Sequence, residues 1–132
     1  MNINIFKAYD IRGKYPEEIN EKVVAEIISA TTNTLKPKAK IIIGRDGRLS
    51  SPNLYRAAIE RLQTTDYRLR LIETGIITTP MLYFLVNHFK ADLGIMITAS
   101  HNPKEYNGLK IVGKKAIPIS GKDVLRIINN EL

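Results

Sequence analysis

Leu93-Gly94-Ile95-Met96-Ile97-Thr98-Ala99-Ser100-His101-Asn102-Pro103 is the stretch on which the fold of this chain turns. An apolar run such as residues 93–97 reads as a strand buried on both faces, so the polar residues after it fall at the strand's exposed C-terminal end. Ser100 then faces a crevice. A ring base at His101, an amide at Asn102 and a φ-locked stop at Pro103 surround its hydroxyl in a pattern suited to group transfer. The same residue types also build ordinary polar turns, so the flanking segments have to decide.

Residues 20–35 place Val23, Val24, Ile27 and Ile28 on one stripe behind Asn20 as N-cap, which predicts a helix. After the Lys36-Pro37-Lys38 break, Ile41-Ile42-Ile43 predicts a central strand ending at Gly44, and Asp46-Gly47 a turn. Ser51 with Pro52 predicts the start of a second helix whose inner face is Leu54, Ala58, Ile59 and Leu62. A strand over residues 70–73, interrupted by Gly75, leads to a second cap-plus-proline signal at Thr78-Thr79-Pro80. The third helix carries Leu82, Leu85, Val86 and Phe89 and returns the chain to Leu93. Beyond the serine loop, Tyr106-Asn107-Gly108 reads as a turn between short strands, followed by a strand over residues 109–112 and a hairpin through Ala116-Ile117. Ser120 with Asp123 resembles a capping box for a last helix bearing Val124, Leu125, Ile127 and Ile128. The chain stops in or just after that helix without a Gly or Pro terminator, which points to truncation.

Strand, loop and helix recur three times in succession, which predicts an α/β fold: a three-layer domain with a mixed, mostly parallel central sheet and helices on both faces. The loops at residues 44–48, 75–78 and 98–103 then share one sheet edge, the carboxyl edge where open sheets bind ligands. Lys110 is placed to reach back toward it.

A length of 132 residues suits one domain. No apolar run approaches the roughly 20 residues of a membrane span, and the N-terminus lacks the features of a signal peptide. With no cysteine, disulfides, thiol catalysis and thiolate metal sites are excluded, and the default location is cytoplasmic. The net charge of +7 favours anionic partners, but sparse aromatics give no base-stacking platform and argue against nucleic acid. Lys36, Lys38 and Lys40 read as a solvated loop, His88 as a surface helix residue, and Met81 and Met96 as core. Asp10, Asp46 and Asp92 lack the spacing of a metal loop.

Three segments carry specific wording: Phe6-Lys7-Ala8-Tyr9-Asp10-Ile11-Arg12-Gly13, Gly44-Arg45-Asp46-Gly47-Arg48, and residues 98–103 with Tyr106-Asn107-Gly108-Leu109-Lys110. In this order and spacing the chain resembles the first domain of the α-D-phosphohexomutases, most closely the phosphomannomutase/phosphoglucomutase branch. The resemblance covers nearly the whole chain. It implies that residues 1–132 form the phosphoserine-bearing domain and that three further domains of the same polypeptide are missing: one with metal carboxylates, one with a sugar-recognition loop, one with a substrate-phosphate loop. It further implies a phosphoserine at Ser100 that exchanges phosphate between C1 and C6 of a hexose phosphate through a bisphosphate intermediate.

By the same resemblance, a Ser100 phosphate oxygen is a ligand of Mg2+, and Lys110 and His101 are the groups for proton transfer with the sugar hydroxyl. Arg12 is implied as a forked anion ligand in the catalytic site. Tyr9 is implied as a substrate-facing wall, with a half-buried ring closing the first strand as its structural alternative. Arg45 and Arg48 could bind phosphate or brace the edge, and bracing is the preferred reading for Asp46. Hexose phosphates of the glucose and mannose series are the implied partners, because the phosphoglucosamine branch carries Asp-Asn-Gly where this chain has Tyr106-Asn107-Gly108. The isolated chain is expected to be inactive. Two other classes compete: a serine hydrolase, which needs glycines where Thr98 and Asn102 stand, and a non-catalytic basic module binding phosphorylated ligands or nucleic acid.

Overall fold

The computed structural model describes residues 1–65 and 68–131. The elements run β1 (Ile11–Lys14), α1 (Glu21–Thr32), β2 (Lys40–Arg45), α2 (Ser51–Gln63), β3 (Arg70–Ile76), α3 (Thr79–His88), β4 (Leu93–Ile97), β5 (Tyr106–Val112), β6 (Pro118–Ile119) and α4 (Gly121–Ile128). Short 3-10 turns at Ile3–Ile5 and Lys114–Ala116 complete the chain.

The sheet order is β1-β5-β4-β2-β3, with β6 against β5. β2 pairs in parallel with both β3 and β4, while β5 pairs antiparallel with β1, β4 and β6. β5 therefore runs against the other five strands, and the sheet is mixed and mostly parallel in strand direction. Alternation splits its side chains between two cores. Ile41, Ile43, Ile95, Ile97, Leu109 and Ile111 pack with the inner stripes of α1, α2 and α4 on one face. On the other face Ile42, Met96 and Val112 pack with Leu82 and Val86 of α3. This is the three-layer arrangement, and β4 is buried along its whole length because both layers cover it.

Several local expectations hold in detail. Asn20 caps α1 by accepting from the amide of Val23, Thr78 caps α3 by accepting from Met81, and Ser120 caps α4 by accepting from Asp123. Others are corrected. The N-cap of α2 is Ser50 rather than Ser51, and its side chain makes no cap bond. α1 ends at Thr32, short of Leu35. β3 does not stop at Glu73: Gly75, at φ +69, is absorbed as the register shifts between Ile43 and Gly44. The return strand to β5 is Pro118–Ile119, not Ala116-Ile117. Met81 is 46% exposed rather than core, and Phe89 ends α3 as its C-cap. Lys40 belongs to β2 and not to the preceding loop. No helix among the described residues is long and apolar enough to cross a membrane.

The most consequential correction is at Tyr106-Asn107-Gly108, which is no turn but the first half of β5, inserted between β1 and β4. There Gly108 lies opposite Arg12, and a Cβ would overlap the carbonyl oxygen of Ile11. Backbone cannot yield as a flexible side-chain tip can. Gly108→Ala should therefore push β1 off the sheet and destabilise the chain by at least about 2 kcal/mol, read as a lower urea midpoint. A midpoint unchanged from wild type would show that β1 does not pack this closely.

Candidate active site at the carboxyl edge of the sheet

The loops after β2, β3 and β4 emerge on one edge, as parallel strands require. There the serine loop follows β4 directly: Thr98 and Ala99 are still buried, Ser100 is partly exposed, and His101 is exposed. Ser100 takes a left-handed backbone conformation at φ +55, uncommon for a residue with a Cβ. Among the described residues its hydroxyl forms no hydrogen bond, and neither do the side chains of His101 and Lys110.

Beneath the loop, Asp46 acts as a hub. Its carboxylate accepts from the Arg48 amide at 3.1 Å, from Arg48 Nε at 3.2 Å, from Thr98 Oγ1 at 2.7 Å and from the hydroxyl of Ser51. Thr98 Oγ1 in turn accepts from the Ser100 amide at 3.0 Å. Arg48 spreads under the same loop, donating from Nη1 to the carbonyls of Pro103 (2.7 Å) and Tyr106 (3.1 Å). From Nη2 it donates to the carbonyls of Ser100 (2.9 Å) and Asn102 (2.7 Å). The bracing reading of Asp46 is therefore correct, and Arg48 braces with it. Arg45 lies elsewhere, over the ring of Tyr55 with its guanidinium 5.9 Å from the centroid, and donates to the carbonyl of Asp46.

A second tie comes from α2. Fully buried Asn107 donates to the hydroxyls of Ser50 (2.7 Å) and Ser51 (3.0 Å), so the start of α2, the Asp46 hub and β5 share one polar network. Reading residues 106–108 as a turn hid this role, since a turn asparagine bonds its own backbone. Beside the network, the Glu21 carboxylate and partial burial push the Tyr15 phenol above its usual pKa, with Asn53 opposing them.

The cations implied as ligands stand on the open half of the sheet. Lys110 lies opposite Met96, and Arg12 lies opposite Gly108, two residues along β5 from Lys110. By alternation both side chains share the α3 face, on the neighbouring strands β1 and β5. Arg12 Nε lies 3.6 Å from a carboxylate oxygen of buried Asp10, which anchors it while its side chain stays 39% exposed. Tyr9, in the loop before β1, is 81% exposed, so its alternative as a half-buried ring is overturned. That loop is backed by α4: a Cβ on Gly121 would lie 2.5 Å from the Asp10 carbonyl oxygen. His88, as read, is an exposed helix residue, stacked on Phe84.

Among the described residues no group of three or more His, Cys, Asp or Glu side chains could hold a metal ion. The described side chains thus do not assemble a Mg2+ site by themselves.

Residues 4–131 match the family described as phosphoglucomutase/phosphomannomutase, alpha/beta/alpha domain I. A phosphomannomutase from Salmonella montevideo is 45% identical over 125 residues, covering 95% of this chain and 27% of that protein. One from Klebsiella pneumoniae is 44% identical over 126 residues, covering 96% of this chain and 78% of its own length. Among solved structures, a phosphoglucomutase/phosphomannomutase family protein from Burkholderia thailandensis superposes with a TM-score of 0.79 at 28% identity, covering 100% of this chain and 31% of that one. This chain belongs to the phosphoglucomutase/phosphomannomutase family and corresponds to its domain I. It spans about a quarter of the length of the first curated relatives it matches.

Proposed function

We propose that residues 1–132 are the phosphoryl-carrying domain of a phosphohexomutase acting on mannose or glucose phosphates. The observation that carries this reading is Ser100: its free, partly exposed hydroxyl stands at the carboxyl end of β4 on a loop held from below by Asp46 and Arg48. Family membership supports the substrate class.

In the forward step a hydroxyl oxygen of the bound hexose phosphate forms a bond to the phosphorus on Ser100, and the bond from that phosphorus to Ser100 Oγ breaks. The hydroxyl proton passes to one of Lys110 and His101, the departing Ser100 Oγ takes up a proton from the other in its protonated form, and a hexose bisphosphate and a free serine hydroxyl result. After the sugar reorients, its other phosphoryl group returns to Ser100 Oγ by the reverse bond changes, releasing the isomeric monophosphate and regenerating the carrier. Such a transfer depends mostly on alignment and on neutralising charge. A phosphoserine brings about −1.5 to −2 charges at neutral pH, which the cations at this edge offset. Arg12, anchored by Asp10, would grip an anionic oxygen, and exposed Tyr9 would border the sugar. Mg2+, when bound through the Ser100 phosphate and carboxylates contributed by other domains, would supply further charge neutralisation.

Intact-mass measurement of the protein isolated from cells tests the proposal, with one added phosphoryl group mapped to Ser100 as the expected result. An unmodified Ser100 would refute it, whether or not another residue carries the phosphate. Residues 1–132 by themselves should give no measurable turnover of glucose 1-phosphate in a coupled assay. Turnover that disappears in Ser100→Ala would show instead that the domain is self-sufficient.

A further inference from the structure

We infer that Arg48 is a positioning residue for Ser100, a role that rests on the proposed function for its catalytic meaning. A guanidinium has five N–H groups in a rigid planar fork. In Arg48 the Nε hydrogen goes to Asp46, both Nη1 hydrogens go to the carbonyls of Pro103 and Tyr106, and both Nη2 hydrogens go to those of Ser100 and Asn102. Every donor is committed to the protein, and the side chain is only 14% exposed. Arg48 therefore has no hydrogen left for a phosphate, which settles its role against anion binding.

Its four carbonyl partners span the whole serine loop, from the residue that carries the hydroxyl to the first residue of β5. Ser100 is held at both ends of its own backbone: Arg48 takes its carbonyl, and Thr98, fixed by Asp46, takes its amide. These two restraints hold the left-handed φ that a serine does not adopt readily. Because the peptide after Ser100 is planar, drawing its carbonyl inward also turns the His101 N–H to the outer side. The hydroxyl is thereby aimed before any substrate arrives, which is how alignment contributes to transfer. A lysine would keep the charge, but its three hydrogens leave one atom and cannot reach carbonyls spread along the loop.

The test uses the 132-residue chain labelled with 15N, with NMR as the readout. In wild type, Arg48 Nη hydrogens should be resolved and slow to exchange, and Ser100 should show the strong amide-to-Hα cross-peak within the residue that positive φ produces. In Arg48→Ala that cross-peak should weaken several-fold and exchange of the Ser100 amide should quicken at least tenfold. The cross-peak of Lys90, another residue of positive φ remote from the loop, should stay as it was. Arg48→Lys, expected to behave like the alanine variant at Ser100, carries the test where Arg48→Ala does not fold. Fast-exchanging Arg48 hydrogens in wild type would overturn the inference, as would a wild-type Ser100 signature in either folded variant or equal loss at Ser100 and Lys90. None of these signals requires phosphate on Ser100, so an unphosphorylated serine would defeat the proposed function while leaving the hold of Arg48 intact.

Discussion

Ser100→Ala should abolish the proposed phosphoryl adduct completely while leaving the melting temperature within about 3 °C of wild type. The two halves of this expectation have separate causes. In the proposed transfer phosphate is carried on Oγ, so deleting that one atom removes the protein's own acceptor. Stability is untouched because the loop is held by backbone atoms: Arg48 binds the Ser100 carbonyl and Thr98 binds its amide, and both survive in alanine. The left-handed φ is shared by serine and alanine alike, so no new backbone strain arises. Intact mass and a thermal melt of the same sample check both halves. An adduct that persists in the variant would place the carrier elsewhere; a large fall in melting temperature would mean that the hydroxyl is a structural member of the loop.

Asp46→Ala has the opposite signature, loss of stability first. Its carboxylate accepts from four donors, of which Thr98 is 5% exposed and Ser51 fully buried. Removing the acceptor strands hydroxyls that cannot turn to bulk water, at about 1–3 kcal/mol for each buried group left without a partner. Ser51 retains its bond from Asn107, and the Asp46 side chain is itself 23% exposed, so water restores part of the loss. A net destabilisation of about 2–4 kcal/mol is expected, a large share of the stability of a small domain. Urea melts should show a lower midpoint with an unchanged slope. Asp46→Asn, which keeps one acceptor oxygen but sets an amide donor against other donors, should fall between. Equal midpoints for wild type and Asp46→Ala would show that the hub contributes nothing net to stability.

The serine loop was legible because its signal is local. A buried apolar run followed at once by Thr98, Ser100, His101 and Pro103 places a hydroxyl at a strand end whatever the rest of the chain does. Helix starts at Asn20, Thr78 and Ser120 were legible for the same reason, since a cap bonds an amide three residues on. Asn107 and Gly108 misled for the converse reason. Their pairing is a turn signal in isolation, yet here the amide of one reaches α2 and the missing side chain of the other lets β1 come close.

The sequence by itself determined the three successive strand-loop-helix units, the inward stripes of their helices, and the place of the Ser100 hydroxyl at a strand end, because these follow from periodicity and from bonds spanning a few residues. Only the tertiary structure decided that β5 lies antiparallel between β1 and β4, and that Arg48 reaches carbonyls more than fifty residues away. Both end on backbone groups that every residue possesses: strand to strand in β5, and carbonyls met by a side-chain guanidinium in Arg48. No side-chain pattern records which carbonyl a distant guanidinium will meet once the sheet has closed over its two cores.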